Sequence, residues 1–335
     1  MKPVSVAVLA VCLLLLLPFT SGAARRIKLG TLAPEGSPWH KVLRDMAEDW
    51  KTASAGRVRV RIYAGGIAGD EQDMVRKMKI GQLHAAALTG EGLSRISTEV
   101  QALQMPMMFK SQAELDFVRK RIGPKIEAGL EKKGFKLLTW GDAGWVYFFT
   151  QKPVVHPDDL KPLRLFVWAG GTAHIDAWKA SGYQPVPLAA TEIHTALQSG
   201  LINAFTTTPV AALSYQWFGQ AKHMTDLKWA PLVGGLVITS RAWGRIGEGD
   251  RRRLLRISRE AGRRLQALLP KLSEEARRVM VKHGLQIHSV QPKVVKLWEA
   301  RARAGYPKIV GQLVSPEMIA EVERIRNEYR AGHGN

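Results

Sequence analysis

Cysteine is almost missing from this 335-residue chain, and the single one, Cys12, lies in the N-terminal segment. Once that segment is removed, disulfides, thiol nucleophiles and thiolate metal sites are all excluded. Such a chain is compatible with an oxidising compartment. Long apolar runs are equally scarce. Residues 5–17 form one behind Lys2, ending in LLLLLP, and no later stretch reaches the ~18 residues of a membrane-spanning helix. The run is too short to span a bilayer comfortably, and Ser21-Gly22-Ala23 offers small residues for cleavage before Ala24. Residues 1–23 therefore read as a signal peptide. Lipid attachment is disfavoured because Cys12 sits inside the apolar run, not after it. The expected product is an exported chain with no stable membrane insertion, long enough for two domains.

Acidic residues are also in deficit. There are 29 Asp and Glu against 49 Lys and Arg, a formal net charge of +20 that falls to +19 when Lys2 is lost. Much of the excess lies in helical stretches: Arg251-Arg252-Arg253, Arg263-Arg264 and Arg277-Arg278. A solvated helix face accounts for these. No zinc-finger spacing, RNA-binding signature or basic–aromatic repeat accompanies them, so no nucleic-acid partner is expected.

Enzyme signatures are missing as well. The chain has no GxSxG, no HExxH and no GxxxxGK phosphate loop, and AGGIAG at 64–69 lacks the GxGxxG spacing. His283 and His288, five apart around a glycine, are poorly placed for a shared helix-face metal site. Asp158-Asp159 are adjacent, so their side chains diverge; a turn with a cap fits them better than a catalytic dyad. No cofactor, metal or catalytic residue is expected.

What is present is α/β order. Ile27–Ala33, a helix opening at Ser37-Pro38, Arg57–Tyr63, a helix over about 71–80 and His84–Leu88 make a βαβαβ series, which implies a parallel sheet flanked by helices. Strands at Leu137–Trp140 and Val146–Thr150 follow, then a second βαβαβ unit over Leu163–Thr208. Leu232–Ser240 returns the chain to the first unit. A helical pattern over 250–283 carries Pro270, where a kink is expected, and stops at Gly284; further helices are expected near 293–304 and 316–330. Two α/β halves exchanging strands suggest two lobes around a cleft, with the crossing segments as hinge.

Ligands of open α/β sheets sit outside the carboxyl ends of the strands. Phe166 and Trp168, two apart on one strand, share a face there, as do Trp145 and Tyr147, and Tyr215 and Trp217 if that segment is extended. Core packing explains any one of these pairs; their position at strand ends makes them candidates to line a pocket.

Four stretches in order carry a resemblance: IKLGTLAPEGSPWHK at 27–41, YAGGIAGDEQDMV at 63–75, DLKPLRLFV at 159–167 and PVPLAATEIHTALQSGLINA at 185–204. Together the chain resembles a solute-binding protein of a tripartite ATP-independent periplasmic (TRAP) transporter, of the DctP type. The resemblance implies an α/β, two-lobed periplasmic binding fold (type II-like) with hinge strands and a long hinge-spanning helix. It implies lobe I from 24–145 plus about 233–270, and lobe II with the hinge-spanning helical region from about 146–232 plus 271–335. It further implies a periplasmic location, a small-molecule solute, a partner permease of small and large membrane subunits, and no catalysis.

Members of that family commonly hold an organic acid by arginine. In this chain Phe166 falls at the position of one such arginine and Val146 at the position of a second, while Ala190 replaces a bulky aromatic. Arg164, two residues before Phe166, stands where the pattern has a lysine, and regains an anion-binding role only if the strand register slips. A guanidinium holds a carboxylate through paired charge-assisted hydrogen bonds, and Phe and Val offer neither. The expected pocket is therefore an apolar or aromatic wall of Phe166, Trp168, Trp145 and Val146, opened by Ala190. Thr89, Thr207 and Thr208 supply hydroxyls. A solute more apolar than a simple dicarboxylate follows, or a cation over Trp168. A secreted enzyme on a similar fold, and a secreted cationic protein binding nucleic acid or an anionic surface, remain the alternatives.

Overall fold

A computed structural model describes residues 24–169 and 172–333. The signal-peptide expectation for 1–23 lies outside the described residues. The chain opens with β1 (Arg25–Thr31), α1 (Pro38–Ala53), β2 (Val58–Tyr63), α2 (Glu71–Lys79), β3 (Ala85–Thr89), α3 (Gly90–Ser94), α4 (Gln112–Lys132) and β4 (Phe135–Trp140). Ser37 starts α1 by accepting a hydrogen bond from the His40 amide at 3.3 Å, with Pro38 in the first turn where a missing N–H costs nothing. Leu43, Met46, Ala47 and Trp50 recur at helical spacing and form its buried stripe.

The second lobe follows: β5 (Gly144–Thr150), β6 (Arg164–Trp168), α5 (Thr172–Ala180), β7 (Gln184–Leu188), α6 (Ile193–Gln198), β8 (Ala204–Thr207), α7 (Pro209–Ser214) and β9 (His223–Asp226). Next come β10 (Ala230–Leu232), β11 (Gly234–Thr239), α8 (Ser240–Gly244), α9 (Glu248–Lys282), β12 (Gln286–Ser289), α10 (Pro292–Ile309) and α11 (Pro316–His333).

Two sheets result. The first has the order β2-β1-β3-β11-β4, with β1, β2 and β3 parallel and β11 antiparallel to both neighbours. The second has the order β12-β9-β5-β8-β6-β7, with β10 added against β5. The chain passes between them on two antiparallel strand pairs. β4 runs into β5 through residues 141–143, and β10 runs into β11 through Val233. The Gly141 amide donates to the Gly234 carbonyl and the Ala143 amide to the Leu232 carbonyl, each at 2.8 Å, so the two passages are paired through the crossing.

Helix α9 joins the lobes a third time. Its 35 residues span about 52 Å at 1.5 Å per residue. It packs on α1 and β4 in the first lobe and on α7 and β5 in the second. It continues as one helix through Pro270 and ends before Gly284, whose φ of 97° suits glycine alone. Close approach to β4 depends on Gly262, where an added Cβ would stand 2.1 Å from Thr139 Oγ1 and 2.6 Å from the Trp140 carbonyl oxygen.

The C-terminal helices divide between the lobes, where the sequence reading put both with the second. α10 packs on α5 of the second lobe. α11 instead returns to the first lobe and packs on α4, burying Met318, Val322 and Ile325 in the core that holds Leu115 and Val118. The apolar stripe of α11 matches the apolar side of α4 that the first sheet leaves uncovered, and no sequence signal names that partner.

Candidate functional site

The cleft between the lobes encloses a cavity of about 210 Å³. Its walls come from strand ends of both sheets and from helices α1, α2, α6, α7 and α9, because each lobe turns the carboxyl ends of its parallel strands toward the other. From the first lobe come Thr31, Thr89 and the α1 side chains Trp39, Leu43 and Met46. From the second come Val146, Phe166, Trp168, Ala190, Thr206 and Thr207. Ala261, Gly262 and Leu265 of α9 complete the lining from the helix that joins the lobes.

Most of the residues singled out from sequence meet here. Phe166 and Trp168 do share a face of β6, and their rings contact edge to face with centroids 5.8 Å apart. Phe166 is buried at 3 % exposure, and Trp168 is half-buried. Val146 lies across the sheet on β5. Ala190 occupies the short helical turn after β7, and Thr207 ends β8. Thr89 ends β3 and its hydroxyl caps α3 by accepting from the Glu91 amide at 3.2 Å.

Three depart from the expectation. Arg164 begins β6, about 13 Å from Trp168 at 3.3 Å per residue. There its guanidinium is exposed and donates to the Gly200 carbonyl at 2.6 Å, closing off the end of α6. The register does not slip, and Arg164 takes no part in the cavity. Thr208 is buried one residue past β8, where its hydroxyl caps α7 by accepting from the Ala211 amide at 3.3 Å. Trp145 does not line the cavity, its neighbour Val146 having that place; the Lys228 ammonium lies 5.3 Å from the Trp145 ring centroid.

The structure also brings residues to the site by routes the sequence did not show. Tyr215 and Trp217 are not extended: Gln216 between them has φ 59°, and this left-handed turn stacks the two rings at 4.4 Å. Tyr215 then donates from its phenol to the Leu32 carbonyl across the cleft at 2.6 Å. Burial raises its pKa, with Glu71 and Asp70 adding to the effect, so it remains a neutral donor. The lobes also meet where Arg95 donates to the Ala169 carbonyl at 3.1 Å, and where Thr191 stands 2.8 Å from the position a Cβ on Gly66 would take.

Among the described residues, Glu71 is the one carboxylate on the cavity wall. One oxygen accepts from the Thr89 amide at 2.7 Å; the other accepts from the Thr89 hydroxyl at 2.7 Å and the Gly92 amide at 2.8 Å. Burial outweighs these bonds and pushes its pKa up to about 7. In the sequence it is simply an acidic residue in a helix first turn, a common surface pattern. Burial likewise raises Asp70, whose Oδ1 meets no hydrogen-bond partner among the described residues.

Two α/β lobes joined by paired crossing strands and one spanning helix, with a cavity between them, define a periplasmic-type solute-binding protein. The model of the DctP family, bacterial extracellular solute-binding protein family 7, matches residues 29–312, and the chain belongs to this family. It is 26 % identical over 262 residues to a solute-binding protein of Roseobacter denitrificans, covering 77 % of this chain and 80 % of that one. It is 22 % identical over 247 residues to the 2,3-diketo-L-gulonate-binding periplasmic protein YiaO of Escherichia coli, covering 72 % and 74 %.

Among solved structures, the fold matches a TRAP periplasmic solute-binding protein of Xanthobacter autotrophicus with bound β-D-galacturonate. That match has a TM-score of 0.83 and 18 % identity, and covers 90 % of this chain and 99 % of that one. A counterpart from Ralstonia eutropha with bound (S)-2-acetolactate matches with a TM-score of 0.84 and 22 % identity, at 90 % and 99 % coverage. The family to which the chain belongs is one of solute-binding proteins, not of enzymes. The acids bound in the two structures are those proteins' own ligands.

Proposed function

We propose that this chain is the periplasmic receptor of a TRAP-type secondary transporter, delivering an apolar or aromatic solute to small and large membrane subunits. One observation carries the choice of solute: among the described residues, no arginine or lysine lines the cleft cavity. Phe166 and Val146 stand there instead, with Trp168, Tyr215, Ile193 and Leu232 around them. An acid buried against such a wall loses its water without gaining a cationic partner, at a cost of several kcal/mol. An apolar solute gains about 25 cal/mol for each Å² it buries. The related structures with bound sugar acids support the transport role; their ligands do not suit this lining. Glu71, already holding Thr89 and Gly92, has no proton donor to spare for an anion once it is ionised above about pH 7, and its charge there disfavours one further.

Titration calorimetry with indole, naphthalene and D-glucuronate tests the reading. The two arenes are expected to bind, with Trp168→Ala weakening them about tenfold or more, and glucuronate is expected to give no heat. The variant Phe166→Arg should lower the melting temperature and regain part of the loss when glucuronate is added. Tight glucuronate binding by the wild-type protein, unaffected by Trp168→Ala, would overturn the assignment.

A further inference from the structure

A second cavity of about 180 Å³ adjoins the first, and Val146, Phe166, Trp168, Thr206 and Leu232 border both. These side chains are therefore a partition between two chambers. The second chamber reaches from Gln101 and Gln104 of the first lobe, past the aromatic cluster of Trp178 and Trp229, to Tyr183 and the α10 residues Arg301 and Gly305. Like the first, it is bounded by both lobes, so an occupant would hold them together.

Tyr183 points to what it takes. The residue is 5 % exposed, and its hydroxyl is buried with no hydrogen-bond partner among the described residues. A buried hydroxyl without a partner is unfavourable unless a ligand supplies one. Burial pushes the phenol up to about 12, so it is a neutral donor in want of an acceptor. The charged group nearby is already engaged: Arg301 donates to Asp158 at 3.2 Å and lies 6.0 Å from the Tyr183 ring centroid. Burial lowers the pKa of His174 on the same wall, keeping its imidazole neutral. Among the described residues, Glu91, paired with Arg95, is the carboxylate on this wall, at its first-lobe end, and the rest is largely aliphatic.

We infer that the solute occupies both chambers: an apolar body in the cleft cavity, continuing past Phe166 and Trp168 to an oxygen that accepts a hydrogen bond from Tyr183. A hydroxyl, carbonyl or carboxylate oxygen shares this chemistry. The inference rests on the apolar reading of the cleft and adds the length of the solute and its polar end.

The test uses the exported chain with three probes: indole, which fits the first chamber, and 1-decanol and decanoate, which are long enough for two. Gly305→Leu narrows the second chamber, since a Cβ at Gly305 faces Ala177 at 3.9 Å with room beyond. Calorimetry should show Tyr183→Phe weakening the ten-carbon probes about threefold to tenfold, the worth of one hydrogen bond. Gly305→Leu should weaken them more than tenfold. Indole affinity should stay unchanged in both variants, which also reports that they are folded. A larger loss for decanoate than for decanol under Tyr183→Phe assigns a carboxylate end; an equal or smaller one assigns a neutral oxygen. If decanol and decanoate bind but neither variant weakens them, the second chamber is not a binding site, and the apolar reading of the cleft stands. If no apolar probe binds and glucuronate does, the apolar reading falls and this inference falls with it.

Discussion

Tyr215 and Leu32 belong to different lobes, yet the Tyr215 hydroxyl donates to the Leu32 carbonyl at 2.6 Å across the cleft. A hydrogen bond of this kind is worth about 1 kcal/mol net, and it exists only while the lobes are together. Tyr215→Phe should therefore shift the protein toward open forms roughly fivefold. Small-angle X-ray scattering should give the variant the larger radius of gyration, and identical radii would mean that this contact does not hold the lobes together.

The hinge carries a buried charge pair. Asp142, 4 % exposed between β4 and β5, accepts from the Arg119 guanidinium at 2.6 Å, and Arg119 also contacts Asp116. Asp142→Asn leaves Arg119 with one anion instead of two in a site shielded from water. A loss of about 3 kcal/mol is expected, at the low end for a broken buried pair because Asp116 remains. Urea unfolding measures it directly; an unchanged midpoint would show that Asp116 alone suffices.

Gly262 sets how closely α9 lies on β4. An alanine side chain at this position would require the helix or strand to yield, since Thr139 Oγ1 and the Trp140 carbonyl occupy the space. Gly262→Ala should cost about 1–3 kcal/mol as overpacking. Adding Thr139→Ala should recover part of it, while failure of the double variant to improve on the single would assign the strain to the carbonyl instead.

Glu71 gives stability a pH dependence of definite sign. The unfolded chain releases this proton near the ordinary value of 4.5, whereas the fold holds it to about 7. Between those values the native state binds more protons than the unfolded one, so this contribution falls as pH rises. The full difference is about 3 kcal/mol, reached above pH 7. Chemical denaturation of the wild-type protein and Glu71→Gln at pH 5 and pH 8 isolates it. The wild-type protein should lose ground to the variant on going to pH 8, and parallel behaviour of the two would remove Glu71 from the account.

The framework was legible because its signals are local. Ser37-Pro38 marks a helix start, Gly284 a helix stop, and apolar alternation separates strand from helix. The site was legible in part. Side-chain parity put Phe166 and Trp168 on one face, and Phe166 and Val146 are where a wall without guanidinium was expected. Parity says nothing of distance along a strand, so Arg164, on the same parity, lies at the far end of β6 serving the carbonyl of Gly200. A hydroxyl can serve only a few partners, and that of Thr208 is taken by a helix cap. Tyr215 entered through a single left-handed residue, and Glu71 through burial, neither of which leaves a periodic trace.

The return of α11 to the first lobe has a mechanical consequence. The backbone crosses the cleft boundary at 141–143, at Val233, within α9, and again in the turn near Gly311 between α10 and α11. Four covalent tethers leave little freedom for the lobes to slide or twist independently. A solute that bridges the lobes then acts on what freedom is left. The free energy it gains by touching both sides goes into holding that remaining motion closed.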